Sequence, residues 1–159
     1  LLNSSKPKAL NLSDESLTQV VKDALMLITD RIKLQNMQLI EEYQDNLPLL
    51  SLDRDQLKVA LLNLFLNAIE AMKPDQGVLR VVIRQEEKHL IVEITDNGSG
   101  ISTENVENLF EAFYTAKKDG MGLGLTAVQN IIKSHHGAIN VESELNEGTT
   151  FYLKFNIST

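Results

Sequence analysis

Val78-Leu79-Arg80-Val81-Val82-Ile83-Arg84-Gln85 and Leu90-Ile91-Val92-Glu93-Ile94-Thr95 decide the fold of this chain, with Glu86-Glu87-Lys88-His89 between them. Both runs alternate and are rich in β-branched residues, so each reads as a strand, and the short polar connection makes them a hairpin with His89 in its turn. Downstream, Ala138 to Ser143 and Thr149 to Ile157 repeat the pattern across Asn146-Glu147-Gly148. Upstream the period changes. Leu17, Val20, Val21, Ala24, Leu25, Leu27, Ile28, Ile32 and Leu34 recur at helical spacing and predict one helix to about Leu34, capped by Ser13 with Asp14 and Glu15 in its first turn. Asp53-Arg54-Asp55-Gln56 has the shape of a capping box for a helix that runs to about Met72 and stops before Pro74. A third helix is expected from about Leu123 to His135. Ala9 to Leu12 and Gln38 to Tyr43 read as short strands, and Pro48 lies in a loop. Helices early and hairpin-linked strands late imply an α/β two-layer sandwich, a mixed sheet covered on one face by about three helices. A doubly wound parallel fold fits less well.

The chain has 159 residues, the usual size of one domain. Its 43% hydrophobic and 23% charged content is that of an ordinary soluble globular protein. No apolar run approaches the roughly 20 residues needed to cross a bilayer. With no cysteine, disulfide scaffolds and thiolate metal sites are excluded, and three scattered histidines do not make a zinc site. The net charge of −7 argues against a nucleic-acid partner and against direct contact with an anionic membrane.

Four stretches carry chemistry. Asn63, Asn67 and Glu70 share one side of the helix begun at Asp53. They read either as a solvent-facing polar stripe or, because asparagine is a poor helix former and its amide oxygen a hard ligand, as part of a Mg²⁺ site. Asp96-Asn97-Gly98-Ser99-Gly100 follows a strand directly. Asn-Gly alone signals a turn, but a carboxylate closing an apolar strand needs a donor, such as the amino group of a planar ligand. Gly120-Met121-Gly122-Leu123-Gly124-Leu125 opens a helix and reads as a flexible loop or as a phosphate cradle of free N–H groups. It is neither a dinucleotide fingerprint nor a Walker A loop. Between them, Phe110-Glu111-Ala112-Phe113-Tyr114-Thr115-Ala116-Lys117-Lys118 combines aromatics that must pack with lysines that are either surface charge or a bridge to phosphate. Five of the eight glycines lie between Gly98 and Gly124.

In this order the pieces resemble the ATP-binding catalytic domain of sensor histidine kinases, within the superfamily that includes gyrase, Hsp90 and MutL. Asn63-Leu64-Phe65-Leu66-Asn67-Ala68 is similar to the N box, Asp96 to Gly100 to the first glycine box, Phe110 to Lys117 to the F box and Gly120 to Leu125 to the second glycine box. Gly148-Thr149-Thr150-Phe151 resembles the closing Gly-Thr-Thr-Phe motif, and the run through Glu70 resembles the nitrogen-regulator and sporulation-kinase branch.

The resemblance implies a Bergerat-type fold over residues 9–159, preceded in 1–8 by a linker and the end of a dimerising, phosphoaccepting helical hairpin. It implies Mg²⁺ on Asn67, with Asn63 near the metal and phosphates, and adenine's amino group on Asp96 in a pocket shaped by Gly98 and Gly100. Gly120, Gly122, Leu123 and Gly124 would hinge the ATP lid, Lys117 would reach the terminal phosphates, and Thr149 or Thr150 would support the adenine end. It assigns Glu70 no role. Ala112 and Met121 depart from the proline and threonine frequent at those places. The reaction implied is transfer of the γ-phosphate of ATP to a histidine on the hairpin, followed by a response regulator. The histidines here, His89, His135 and His136, are not in a phosphoacceptor context. A cytoplasmic domain, monomeric alone and homodimeric at full length, is expected. A gyrase-like ATPase is disfavoured, because those relatives carry a glutamate where this chain has Asn63. A degenerate binding module is the third reading.

Overall fold

The computed structural model describes residues 9–110 and 123–157. Its elements run β1 (Ser13–Glu15), α1 (Leu17–Met26), α2 (Thr29–Leu34), β2 (Gln38–Tyr43), β3 (Leu50–Leu52), α3 (Arg54–Ala71), β4 (Val78–Glu86), β5 (His89–Asp96), α4 (Thr103–Glu107), α5 (Leu123–Ser134), β6 (Ala138–Glu144) and β7 (Gly148–Asn156). Five strands form one mixed sheet in the order β2-β4-β5-β7-β6. Only the β2–β4 pair is parallel, and both expected hairpins are present. The fold is the α/β sandwich predicted.

Strand alternation builds the core. Leu79, Val81 and Ile83 of β4, Leu90, Val92 and Ile94 of β5, and Phe151, Leu153 and Phe155 of β7 are all buried. They share a core with Leu57, Leu61, Leu64, Phe65 and Ala68 of α3, the central helix, which packs against both α1 and α5. The other sheet face is polar and cross-paired. Arg84 Nε donates to Glu93 at 2.6 Å, Tyr152 Oη to Glu142 at 2.7 Å, and the Thr95 and Thr150 hydroxyls meet at 2.9 Å.

The N-terminal third departs from the sequence reading. Ala9 to Leu12 is not a strand, and Ser13 is not a cap. Ser13–Glu15 instead pairs antiparallel with Leu50–Leu52, and the cap passes to Ser16, whose side chain accepts from the Gln19 N–H at 3.2 Å. The expected single helix is two. At the break the Leu27 and Ile28 N–H groups bond three residues back, and the Thr29 hydroxyl donates to the Leu25 carbonyl at 3.1 Å, taking the acceptor that the next turn would use. His89 also differs: it opens β5, opposite Glu86, rather than lying in the turn.

The capping box at α3 forms and does more than cap. Asp53 accepts from the Gln56 N–H at 3.1 Å and from the Asn11 N–H at 2.9 Å. These bonds, that from Asn11 foremost, hold its carboxyl below the usual aspartate range. Its own N–H donates to His135 Nε2 at 3.0 Å, so His135 Nδ1–H is left to donate to the Ile131 carbonyl at 2.8 Å. The start of α3 is thus tied to the end of α5. Asp53→Ala is expected to lower unfolding stability by about 1–2 kcal/mol, read by urea denaturation. A loss no larger than at an exposed helix position would refute this double role.

Candidate functional site

The period of two that builds the core also places the site. Continuing the helix-facing rows Leu90-Val92-Ile94 and Phe155-Leu153-Phe151 by one step each brings Asp96 and Thr149 under the helices, directly paired in register. Both are only 5% exposed. They wall a cleft whose other walls include Asn67 and Ala71 of α3, Gly100 and Ile101 of the loop after β5, Leu109 just beyond α4, and Leu125 of α5. The wall is mainly apolar with a few convergent polar groups, the usual make-up of a small-molecule site.

Asp96 is the most perturbed group in the cleft. Burial pushes its carboxyl up to about 6, against the opposing pull of backbone N–H groups from Gly98 and Thr149. The Gly98 bond is 2.8 Å long. Among the described residues no cation faces it, and the carboxylate has acceptor capacity to spare toward the cleft.

Backbone contacts hold the loop that follows. The Ser99 N–H donates to the Ala71 carbonyl at 3.0 Å, and the Ser99 carbonyl accepts from the Asn146 N–H at 2.8 Å. A Cβ at Gly98 would strike the Ala71 carbonyl, so only glycine lets this loop sit against the end of α3. Gly100 has φ of +73°, and its added Cβ would run into the Glu144 carbonyl. Asn97 fastens the loop from behind, accepting from the Val78 N–H at 2.9 Å and donating to the Gln76 carbonyl at 3.1 Å. Gly148 packs as tightly against the Asp96 carbonyl, with φ of +137°.

Across the cleft, Asn67 Nδ2 is buried and has no hydrogen-bond partner among the described residues. Asn63 lies one turn earlier on α3 and is half-buried, while Glu70 is exposed. An orphaned buried amide is costly unless something else completes it. Turned about its terminal bond, the amide presents its oxygen, a hard donor suited to Mg²⁺. Among the described residues no group of three or more histidine, cysteine or acidic side chains is placed to hold a metal. A Mg²⁺ here would therefore take one amide oxygen and draw its remaining ligands from phosphate and water, which is its habit.

Of the residues singled out by sequence, the structure gathers Asn67, Asp96, Gly100 and Thr149 around one cleft. Gly98 supports the wall from behind. Thr150 is on the opposite face of the sheet with Thr95, and of the two threonines it is Thr149 that lines this cleft. Leu123 and Gly124 open α5, whereas Lys117, Gly120 and Gly122 lie outside the described residues, as does most of the F-box stretch. Sequence reasoning missed Ser143 on β6, which touches Thr149, and the apolar wall residues Ile101, Leu109 and Leu125. No local pattern marks Ser143, whose partners are Ile101 of the loop after β5 and Gly148 and Thr149 of β7.

Comparison with known proteins places the sequence and the fold in one family. Residues 52–159 match the family model described as histidine kinase-, DNA gyrase B-, and HSP90-like ATPase. Sporulation kinase E of Bacillus subtilis (strain 168) is 35% identical over 150 residues, 94% of this chain and 20% of that protein. Sensor histidine kinase ZraS of Escherichia coli (strain K12) is 35% identical over 153 residues, 96% of this chain and 33% of that protein. The chain thus spans a fifth to a third of the length of these curated relatives. The nucleotide-free catalytic domain of histidine kinase ThkA superposes with a TM-score of 0.83 at 28% identity, covering 92% of this chain and 96% of that one. ThkA in complex with the response regulator TrrA gives 0.84 at 25% identity, covering 99% and 45%. By sequence and by fold, the chain belongs to the histidine kinase-, DNA gyrase B- and HSP90-like ATPase family.

Proposed function

We propose that this chain binds Mg-ATP and presents the γ-phosphate to a histidine on a separate dimerising helical hairpin, as the ATP-binding half of a two-component histidine kinase. The observation that carries the reading is the pairing, in one apolar cleft, of a buried carboxylate with spare acceptor capacity and a buried amide with no partner among the described residues. In this reading Asp96 accepts from the amino group of adenine, while Ile101, Leu109 and Leu125 keep water from the base. Asn67 offers an oxygen ligand to the metal, and Asn63 stands beside it toward the phosphates. Bound Mg²⁺ would supply charge neutralisation on the phosphate oxygens. Lys117 and the backbone N–H groups of Gly120, Gly122, Leu123 and Gly124 would surround the phosphates ahead of α5. The protein's share of catalysis is then positioning and electrostatics rather than acid–base chemistry. Asn63 suits this reading, since an amide cannot act as the general base that fast hydrolysis needs.

Three positions support an acceptor on another domain. His89 opens a strand, His135 is held between Asp53 and Ile131, and His136 lies in the turn after α5 with φ of +58°. The names of the relatives, and the ThkA–TrrA pair, support a response regulator as the downstream partner. We place the domain in the cytoplasm, as a monomer when isolated and within a homodimer at full length. The test is phosphorylation in trans, with γ-labelled ATP and a separately supplied cognate hairpin. Label on the hairpin histidine is the expected result. Proven nucleotide binding with persistent failure of transfer, or rapid steady-state hydrolysis instead, would overturn the reading.

A further inference from the structure

Ser143 Oγ makes three contacts, and together they fix where every proton lies. The Ile101 N–H points to it at 2.8 Å and can only donate. The Gly148 carbonyl lies at 3.0 Å and can only accept, so it takes the single proton of the Ser143 hydroxyl. The third contact, Thr149 Oγ1 at 2.7 Å, must then use the proton of Thr149. All three bonds form under this assignment alone. Thr149 is 5% exposed and its side chain lines the cleft beside Asp96. Its hydroxyl proton is turned inward to Ser143, so it offers the cleft lone pairs only.

We propose that Ser143 is a specificity-determining positioning residue: by fixing Thr149 as an acceptor next to Asp96, it makes this end of the cleft select a 6-aminopurine over a 6-oxopurine. The proposal rests on the reading of the cleft as the purine site. Two neighbouring acceptors match an exocyclic amino group, whereas a 6-oxo group sets oxygen against oxygen. Without the Ser143 hydroxyl the Thr149 proton is released, and Thr149 can donate to a carbonyl. Rejection by an unmatched buried polar group is the kind of discrimination that hydrogen bonding does well and shape does poorly.

The experiment compares the affinities of ADP and IDP, both with Mg²⁺, for wild type, Ser143→Ala and Ser143→Thr. The wild type is expected to prefer ADP. Ser143→Ala should reduce that preference roughly five- to tenfold, the worth of one hydrogen bond's polarity, and Ser143→Thr should restore most of it. If Ser143→Ala weakens both nucleotides by the same factor, Ser143 is only a structural tie; the specificity role is then overturned while the purine site stands. If the wild type binds neither nucleotide, the site reading fails and the proposal fails with it. Thermal unfolding of the free variants separates loss of fold from loss of selectivity, because a destabilised wall changes both affinities and leaves their ratio alone.

Discussion

Asp96→Asn is expected to make the protein more stable and nearly blind to nucleotide. At neutral pH the native state holds this carboxylate ionised although burial has raised its pKa to about 6. Between about pH 4 and 6 the folded chain therefore binds more protons than the unfolded one, so stability falls as pH rises through that window. Above it, the ionised group costs about 3 kcal/mol. The asparagine removes that cost and keeps an oxygen for the Gly98 N–H, but leaves the second N–H without its acceptor. A net gain of about 1–2 kcal/mol at pH 7, vanishing below pH 4, is expected from urea or thermal unfolding. Binding moves the other way. Loss of a charge-assisted hydrogen bond should weaken a non-hydrolysable ATP analogue by about 1.5–3 kcal/mol, roughly ten- to a hundredfold. The wild type should show the same chemistry without mutation, its affinity dropping roughly tenfold between pH 7 and 5 as Asp96 takes up a proton, while the variant stays flat. Unchanged affinity in Asp96→Asn would mean that the base lies elsewhere.

Asn67→Ala should show a different separation. Its amide nitrogen has no partner among the described residues, so truncation breaks no hydrogen bond to them at that atom and stability should change by less than about 1 kcal/mol. Calorimetric titration of the ATP analogue should find binding to the wild type tightened by Mg²⁺ and that increment lost in the variant. Phosphotransfer in trans should fall roughly 10²- to 10³-fold, the scale of removing one electrostatic element from a transition state. A Mg²⁺ increment that survives the substitution would remove the metal from Asn67.

The parts of this protein legible in its sequence are those specified by local chemistry. The two hairpins, the Asp53 cap and the position of Asp96 at the end of an apolar strand each need only a few neighbouring residues to be read. What escaped depends on contacts between distant segments. Leu50-Ser51-Leu52 is too short to show a period, so its pairing with Ser13–Glu15 was invisible, and Ser13 looked like a cap in its absence. The apolar spacing runs straight across Leu27 and Ile28, and the break shows only in the bonds of the Leu27 and Ile28 N–H groups and the Thr29 hydroxyl. Thr149 and Thr150 are chemically the same residue, and which one meets the cleft depends on register against Asp96. Ser143 is one serine among others until Ile101 and Gly148 are brought to it.

The close fit of Gly148 against the Asp96 carbonyl bears on how this chain can go wrong. A strand slipped by one place would exchange Thr149 for Thr150, and its backbone could look well ordered by circular dichroism. The slip would press a side chain, in place of glycine, on that carbonyl, and would turn Phe151, Leu153 and Phe155 out of the interior. If the cleft is the nucleotide site proposed above, nucleotide binding would report correct strand alignment. A preparation that is spectroscopically folded but only fractionally active in titration would contain a misaligned population, and the active fraction would measure it.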